Sequence, residues 1–294
     1  MVDPTVHCPL VTPFDGDAVD AAALASLVGT LSDAGIDGFV PCGTTGEFTS
    51  LTHAERRTVV ETVAEAADDG WVLAGVADTT VAGVRDGLEH AASVGADAAL
   101  VTLPYYHGAN APRGEVEFVE AVAQDAPLPI YLYNLPAYVG REIDPEVAAA
   151  AADLDPVVGM KDSSDDLSYL RRIDRYTPGS FALYQGIDTL YVPSCLVGAT
   201  GGIHAVSNAL PEAFVAVRDA LAAGDVDRAT SLAGRTIEPV FEQLSEHGFA
   251  SATKVAAAAR GFLDDASVRP PLTELDPDAR AAVEAAVDDA LTAL

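Results

Sequence analysis

Lysine is almost absent from this chain, where it occurs only at positions 161 and 254 of 294. The 16 Lys and Arg residues face 45 Asp and Glu residues, which gives a formal net charge of −29 at pH 7. Nucleic-acid phosphates are bound by clustered cations, so this balance argues against a nucleic-acid-binding protein. The acidic residues are scattered over the whole chain. This pattern indicates adaptation to high salt, because salt screens the repulsion between surface carboxylates.

Cysteine is also scarce, and long apolar runs are missing. Cys8, Cys42 and Cys195 are odd in number and widely spaced, which argues against a disulfide framework or a zinc site and favours a reduced, cytoplasmic protein. No apolar run reaches the roughly 18 residues of a membrane span. Residues 1–5 show no basic region before an apolar one, so no signal peptide is expected. The composition, with 49% hydrophobic residues, is typical of a globular protein.

Up to residue 204, short apolar runs rich in β-branched residues alternate with stretches whose apolar residues recur three and four positions apart. Continuous apolar strands separated by helices predict a parallel sheet that is covered on both faces. Eight such units predict an α/β fold of the closed (β/α)₈, or TIM barrel, type. The predicted strands are Val6–Val11, Gly38–Cys42, Trp71–Val76, Ala98–Leu103, Pro129–Asn134, Val157–Lys161, Phe181–Gln185 and Ala199–His204.

After His204 the pattern changes to helices without strands between them. These helices are predicted at Pro211–Ala223, Val226–Ser245, Ser251–Leu263 and Pro277–Leu294. The first closes the barrel, and no linker rich in Gly, Ser or Pro sets the others apart. We therefore expect residues 1–222 to form a catalytic barrel and residues 223–294 to form a helical extension that packs on the barrel or on a partner subunit.

The active site of such a barrel lies at the carboxyl ends of its strands. The residues found there are Gly43–Glu47, Pro104–Tyr106, Tyr133-Asn134, Lys161, Gln185-Gly186 and Gly201–His204. Lys161 follows an apolar run, so its side chain is expected to point into the barrel mouth. It is either a snorkelling or salt-bridged lysine, or a nucleophile that loses its proton and attacks a carbonyl, which Arg cannot do. Position alone leaves both interpretations open.

The other candidates also have two interpretations each. Tyr133 is either a core aromatic or a proton shuttle for Schiff-base chemistry. Residues 43–46 form either a tight turn or a loop whose N–H groups and hydroxyls hold a carboxylate, and they lack the lysine of a phosphate-binding loop. His204 is expected to be structural, because no second His or acid stands at metal-ligand spacing. No metal or cofactor is expected.

Seven short motifs, in order along nearly the whole chain, resemble those of the dihydrodipicolinate synthase/N-acetylneuraminate lyase superfamily of class I aldolases and lyases. They are TPF (12–14), GTTGE (43–47), PYY (104–106), YNLP (133–136), GMKDSS (159–164), QGID (185–188) and GGI (201–203). Each motif is weak alone, but their order at the strand ends makes the resemblance specific.

The resemblance implies that Lys161 forms a Schiff base with pyruvate or another 2-oxo acid and that Tyr133 is the proton shuttle. Thr44 and Thr45 would bind the carboxylate, with Thr44 also in a hydroxyl relay. Tyr106, or alternatively Tyr105, would reach across a tight dimer to complete the neighbour's relay, in a homotetramer built as a dimer of dimers. The further substrate-binding residues that it implies are Gly43, Ser163, Gly186, Asp188 and Ile203.

The aldehyde half of the substrate is indicated by differences within the superfamily. Dihydrodipicolinate synthases carry an arginine where this chain has Tyr138, although Arg141 is a candidate replacement. KDSS followed by QGID resembles the 2-keto-3-deoxygluconate aldolase branch, in which the residues that match Ser163 and Asp188 face the polyol. The resemblance thus implies cleavage of 2-keto-3-deoxygluconate or its 6-phosphate to pyruvate and glyceraldehyde or its 3-phosphate, with Arg113 as a candidate phosphate partner.

Alternatives remain within and outside this chemistry. Within it are dihydrodipicolinate synthase, N-acetylneuraminate lyase-like and sugar-acid dehydratase activities. Outside it are a non-catalytic 2-oxo-acid-binding module and a structural or assembly protein, since a fold does not prove an activity.

Overall fold

In the computed structural model, which describes residues 4–106 and 112–294, eight parallel strands form a closed barrel. The strands are β1 (Thr5–Cys8), β2 (Gly38–Phe39), β3 (Trp71–Val76), β4 (Ala98–Thr102), β5 (Ile130–Asn134), β6 (Val157–Asp162), β7 (Ala182–Gln185) and β8 (Gly201–Ile203). The ring closes where β1 pairs with both β8 and β2. The predicted (β/α)₈ barrel is confirmed. Residues 1–3, on which the expectation of no signal peptide partly rests, lie outside the described residues.

Helices cover the barrel and continue beyond it. They are α1 (Ala21–Asp33), α2 (His53–Ala66), α3 (Val81–Ser93), α4 (Pro112–Ala123), α5 (Pro136–Val139), α6 (Pro145–Ala152), α7 (Leu167–Tyr176), α8 (Tyr191–Leu196), α9 (Pro211–Ala222), α10 (Val226–Leu232), α11 (Glu238–His247), α12 (Phe249–Ala259) and α13 (Pro277–Ala293). Several of these helices are capped at the N-terminus by a side chain that accepts a hydrogen bond from an otherwise unpaired backbone N–H, as Asp20 does for α1. At α2, Thr52 and Glu55 bond to each other's backbone N–H in a capping box.

Strand register places the chemistry at one end of the barrel. Thr102 of β4 lies opposite Tyr133 of β5, and Tyr133 lies opposite Lys161 of β6. Asp162 then lies opposite Gln185 of β7. Because parallel strands end at the same edge, Tyr133 and Lys161 meet at the carboxyl mouth, whereas Asp162, the next residue on β6, points to the opposite face of the sheet.

Two local features differ from the prediction. The predicted helix Val226–Ser245 consists of α10 and α11 joined by a π-helical segment, Ala233–Ile237. Pro239 has no N–H and cannot donate the next α-helical hydrogen bond. The wider π-helical turn just before it accommodates the loss of that bond. The loop after β1 contains a short hairpin in which Phe14–Asp15 pairs with Ala18–Val19.

The helical extension shares a hydrophobic core with the barrel. One continuous cluster contains Val6 of β1, Val255 of α12 and Val283 of α13. Arg260, at the end of α12, donates to the Ala209 carbonyl at 2.5 Å and pairs with Glu212 of α9 at 2.7 Å. Among the described residues, no helix has the length and apolar character needed to cross a membrane.

Candidate active site

Lys161 and Tyr133 lie side by side in the barrel mouth. Lys161 Nζ stands 4.5 Å from the centroid of the Tyr133 ring, and the two residues are only 5% and 6% exposed. A surface lysine would be solvated, whereas this one is enclosed next to a phenol. The geometry therefore fits a nucleophile and a proton carrier better than a snorkelling cation.

Gly186 makes the room that Lys161 occupies. A Cβ atom at position 186 would overlap with the Ser163 hydroxyl and would stand 2.8 Å from Lys161 Cε. The Gly186 N–H also bonds the Asp162 carbonyl at 2.7 Å, which brings the end of β7 close to β6. Any side chain at position 186 would force the Ser163 hydroxyl and the end of the Lys161 side chain to move.

The Tyr133 phenol is easier to ionise than an ordinary tyrosine. Burial raises its pKa, but the positive charge of Lys161 and the polar side chains of Thr44, Ser163 and Lys161 outweigh burial, and the net shift is downward. A phenol with a lowered pKa exchanges protons more readily near neutral pH. Tyr133 is thus suited to move a proton beside Lys161.

The Gly43–Glu47 loop leaves polar groups available at the mouth. Its end is held by Thr12, whose hydroxyl donates to the Gly46 carbonyl at 2.8 Å, and by the Glu47 N–H, which bonds the Thr44 carbonyl at 3.1 Å. Thr44 Oγ1 is buried and has no hydrogen-bond partner of ordinary geometry among the described residues. A buried hydroxyl of this kind can bond a ligand carboxylate, as the sequence predicts for this loop.

A buried polar network supports the strand ends behind Lys161. Asp162 accepts hydrogen bonds from Asn134 Nδ2 at 2.7 Å and from the Ser164 hydroxyl at 2.9 Å. Asn134 Oδ1 in turn accepts from the Ile143 N–H at 2.9 Å. Burial raises the pKa of Asp162 to about 6, against the effect of these hydrogen bonds. The network fixes β5 to β6 and so orients Tyr133 and Lys161.

The predicted site residues mostly line one cavity of about 120 Å³. Its lining includes Thr44, Thr45, Tyr133, Lys161, Ser163, Gly186, Asp188 and Ile203. Gly43 does not line it, and neither does Tyr106, whose side chain is 83% exposed. The role of Tyr106 across a dimer remains a prediction.

Sequence reasoning missed a second cavity, of about 260 Å³, that adjoins the first. Both are lined by Thr44, Leu135, Tyr138 and Phe249. The second is otherwise mainly apolar and aromatic, with Phe48, Tyr105, Val139 and Leu272 in its wall. Phe249 comes from the helical extension, and no motif in the sequence indicated that α12 reaches the barrel mouth.

Asp188 and His204 have structural partners. Asp188 lines the first cavity, and its two carboxylate oxygens accept backbone N–H bonds from Val206 at 2.8 Å and Ala205 at 3.3 Å. His204 is fully buried and stacks on Phe214 at 5.0 Å between ring centroids. This placement is in keeping with the structural role expected of His204.

Comparison with known proteins shows the family. The model of the dihydrodipicolinate synthetase family matches residues 5–290. The chain is 37% identical to an uncharacterized DapA-like lyase of Halobacterium salinarum over 284 residues, which cover 96% of this chain and 92% of that protein. The chain belongs to the dihydrodipicolinate synthetase family. It is therefore an enzyme of the lyase class, a pyruvate-dependent class I aldolase or lyase that acts on carbon–carbon bonds.

Solved structures of the dihydrodipicolinate synthetase family share the whole fold. The 4-hydroxy-tetrahydrodipicolinate synthase of Methylacidiphilum fumariolicum has a TM-score of 0.94 at 27% identity, covering 99% of this chain and 97% of that one. YagE of E. coli K12, in complex with pyruvate, has a TM-score of 0.92 at 27% identity, covering 98% of each chain. The likeness thus extends through the helical extension.

The two arginines that the sequence offers as partners for a charged second substrate, Arg141 and Arg113, lie outside both cavities. Arg141 forms an ion pair with the buried carboxylate of Glu115. Arg113 is largely exposed and pairs with Glu117 on its own helix at 2.7 Å. Neither arginine lines the two cavities, and Tyr138 occupies the wall where the family's synthases carry an arginine.

Proposed function

We propose that the enzyme cleaves a 2-keto-3-deoxy sugar acid, with 2-keto-3-deoxygluconate as the preferred substrate, to pyruvate and glyceraldehyde. The observation that carries this proposal is the enclosed pair of Lys161 and Tyr133, which opens into a cavity where residues 4–106 and 112–294 supply no second Lys or Arg. The pyruvate bound to the related YagE supports the 2-oxo-acid half.

The proposed reaction uses residues of the first cavity in turn. Lys161 attacks C2 of the substrate, and loss of water from the carbinolamine gives the imine. Tyr133 takes the proton of the C4 hydroxyl, the C3–C4 bond breaks, and its electron pair moves into the enamine. The aldehyde leaves, C3 takes up a proton, and water releases pyruvate from Lys161. Thr44 and Thr45 hold the carboxylate throughout.

Charge in the cavities favours an uncharged aldehyde half. Lys161 is the only Lys or Arg that lines either cavity among the described residues, and it is engaged at C2. A phosphate or a second carboxylate would enter without a cationic partner, which is costly in an enclosed site. A polyol would instead bond the Ser163 hydroxyl and the Asp188 carboxylate. This reasoning ranks 2-keto-3-deoxygluconate above its 6-phosphate.

A second candidate is 4-hydroxy-tetrahydrodipicolinate synthase activity, because the similar structure from Methylacidiphilum fumariolicum carries that name. The lack of an arginine at position 138 argues against it, since the carboxylate of aspartate semialdehyde would lose a bidentate partner.

Trapping with borohydride tests the first half of the proposal. The protein is incubated in high salt with pyruvate and sodium borohydride and then weighed, with Lys161→Ala as the control. A pyruvate adduct that is absent from K161A supports Schiff-base chemistry. A folded wild-type protein that gains no mass would refute imine formation between Lys161 and pyruvate.

Pyruvate release from separate substrates tests the second half. We expect 2-keto-3-deoxygluconate to be cleaved with a higher kcat/KM than its 6-phosphate. The reverse order would refute the argument from cavity charge. Consumption of aspartate semialdehyde together with pyruvate, without cleavage of either sugar acid, would establish the synthase.

The proposed assembly is a homotetramer in which Tyr106 completes the neighbour's site. Light scattering in high salt gives the subunit number. Tyr106→Phe should lower turnover and leave the assembly intact, because it removes only one hydroxyl.

A further inference from the structure

The second lysine of the chain is also buried. Lys254 lies on α12 in the helical extension, and its Nζ stands 2.5 Å from Glu47 Oε1, with both side chains completely shielded from solvent. The ammonium also donates to the Ser267 carbonyl at 2.7 Å and lies 4.0 Å from the centroid of the Phe14 ring. The ammonium of Lys254 is thus enclosed by a carboxylate, a backbone carbonyl and an aromatic ring.

The partner of Lys254 is the last residue of the Gly43–Glu47 loop. Glu47 has a left-handed backbone, with φ 55°, which is uncommon for a residue other than glycine. Its Oε2 accepts a hydrogen bond from the Arg269 N–H at 3.2 Å. The side chain is therefore tied twice to the helical extension, while the Glu47 N–H closes the turn on Thr44.

Stability alone is a poor reason to keep this ion pair. Burial lowers the pKa of Lys254 and the attraction of Glu47 opposes that effect, so the charged form of Lys254 depends on the neighbouring carboxylate. Removing two charges from water is costly, and well-packed apolar residues are often at least as stabilising as a buried pair. A role in the neighbouring site explains the pair better, because Glu47 is the only charged side chain that lines the second cavity among the described residues.

We propose that Lys254 is a positioning residue for the 2-oxo acid: its pairing with Glu47 fixes the Gly43–Glu47 loop and cancels a negative charge beside the substrate carboxylate. The proposal rests on the proposed function, since it takes Thr44 and Thr45 as the carboxylate site. Without Lys254, the Glu47 carboxylate would lose its cation beside Thr44, to whose carbonyl the Glu47 N–H bonds, and it would repel the bound carboxylate, because salt screens buried charges only weakly.

The test compares three variants in high salt by borohydride trapping over a range of pyruvate concentrations. Lys254→Met leaves Glu47 without its cation. The double variant K254M/E47Q removes both charges. Arg260→Met is the matched control. Arg260 lies at the end of the same helix, and its ion pair with Glu212 ties the extension to α9, away from the Gly43–Glu47 loop.

For K254M we expect the half-saturating pyruvate concentration to rise about tenfold or more, with the trapped fraction at saturation unchanged. The double variant should return to within about threefold of the wild type, since the repelling charge is gone. R260M should keep the wild-type half-saturation even if its melting temperature falls. A merely structural lysine would lower the melting temperature without separating half-saturation from the trapped maximum.

The outcomes are distinct. Three results would each overturn the role of Lys254. The half-saturating pyruvate concentration could be unchanged in folded K254M, it could stay raised in K254M/E47Q, or it could rise equally in R260M. Failure of the wild-type protein to trap pyruvate would instead refute the proposed function itself. If K254M does not fold, Lys254→Gln replaces it, since its amide still donates to Glu47 without a charge, and the same direction of change is required.

Discussion

Substitution of Gly186 by alanine tests the placement of Lys161 with a single methyl group. The added Cβ would overlap with the Ser163 hydroxyl and would stand 2.8 Å from Lys161 Cε and 3.0 Å from the Asp162 carbonyl oxygen, so both side chains must shift. Carbon atoms in contact prefer about 3.5–4.0 Å, so the lysine chain must move by roughly 1 Å. Overpacking of this kind costs about 1–3 kcal/mol of stability, which leaves a folded protein.

The expected effect on chemistry is larger than the effect on folding. A reacting group misplaced by about 1 Å can cost on the order of 100-fold in rate. We therefore expect the rate of imine formation with pyruvate to fall about 100-fold in G186A, as measured by the mass of borohydride-trapped protein at timed intervals.

Gly179 provides the control, because it lies just before β7 and a Cβ there would meet nothing within 4 Å. G179A should trap pyruvate like the wild type. If folded G186A trapped pyruvate within about threefold of the wild-type rate, the lysine would not be confined as described, and the reasoning from Gly186 would be refuted.

Three further results are expected. Tyr133→Phe should lower the turnover of 2-keto-3-deoxygluconate by about 10²–10⁴, measured by pyruvate release, because it removes the proton carrier; unchanged turnover would assign that step to another group. Asp162→Asn tests stability against pH. Folding raises the pKa of Asp162 from 3.8 to about 6, so the folded state holds the proton more tightly. The stability of the wild type relative to D162N should therefore fall by about 2 kcal/mol between pH 4 and 7, as followed by urea unfolding; a flat difference would contradict the buried carboxyl. The net charge of −29 predicts a melting temperature that rises steeply with KCl, and full stability in dilute buffer would remove the case for salt adaptation.

The barrel could be predicted because each strand is a short continuous apolar run bounded by a helical pattern. The strand ends were less predictable. The run Gly38–Cys42 suggested five residues, yet β2 contains only Gly38–Phe39. Cys42 has a positive φ of 56°, so the backbone leaves the ladder before the apolar run ends. Hydrophobicity indicates burial, and buried residues need not belong to a strand.

The position of Tyr133 and Lys161 at the barrel mouth could likewise be predicted, since both residues end strands and the register brings them together. The contribution of the extension could not. Phe249 reaches the mouth, and Lys254 meets Glu47, across about 200 residues of sequence. The periodicity of an Ala-rich helix such as α12 does not indicate which element of the barrel it faces.

The two lysines of this chain differ from its arginines in where they lie. Among the described residues, the cations in the surface ion pairs are arginines, and lysine pairs only with the buried Glu47. Arginine is a broad, permanently charged fork, suited to exposed carboxylates in a strongly acidic protein. An ammonium is compact enough to be enclosed with Phe14 and Glu47, and an amine can attack a carbonyl, as proposed for Lys161. A chain that replaces lysine by arginine wherever a plain cation suffices would keep it where the size or the reactivity of the amine is needed. The reason proposed for keeping Lys161 is the reactivity of its amine. The reason proposed for keeping Lys254 is its pairing with Glu47, at the end of the Gly43–Glu47 loop of the active site.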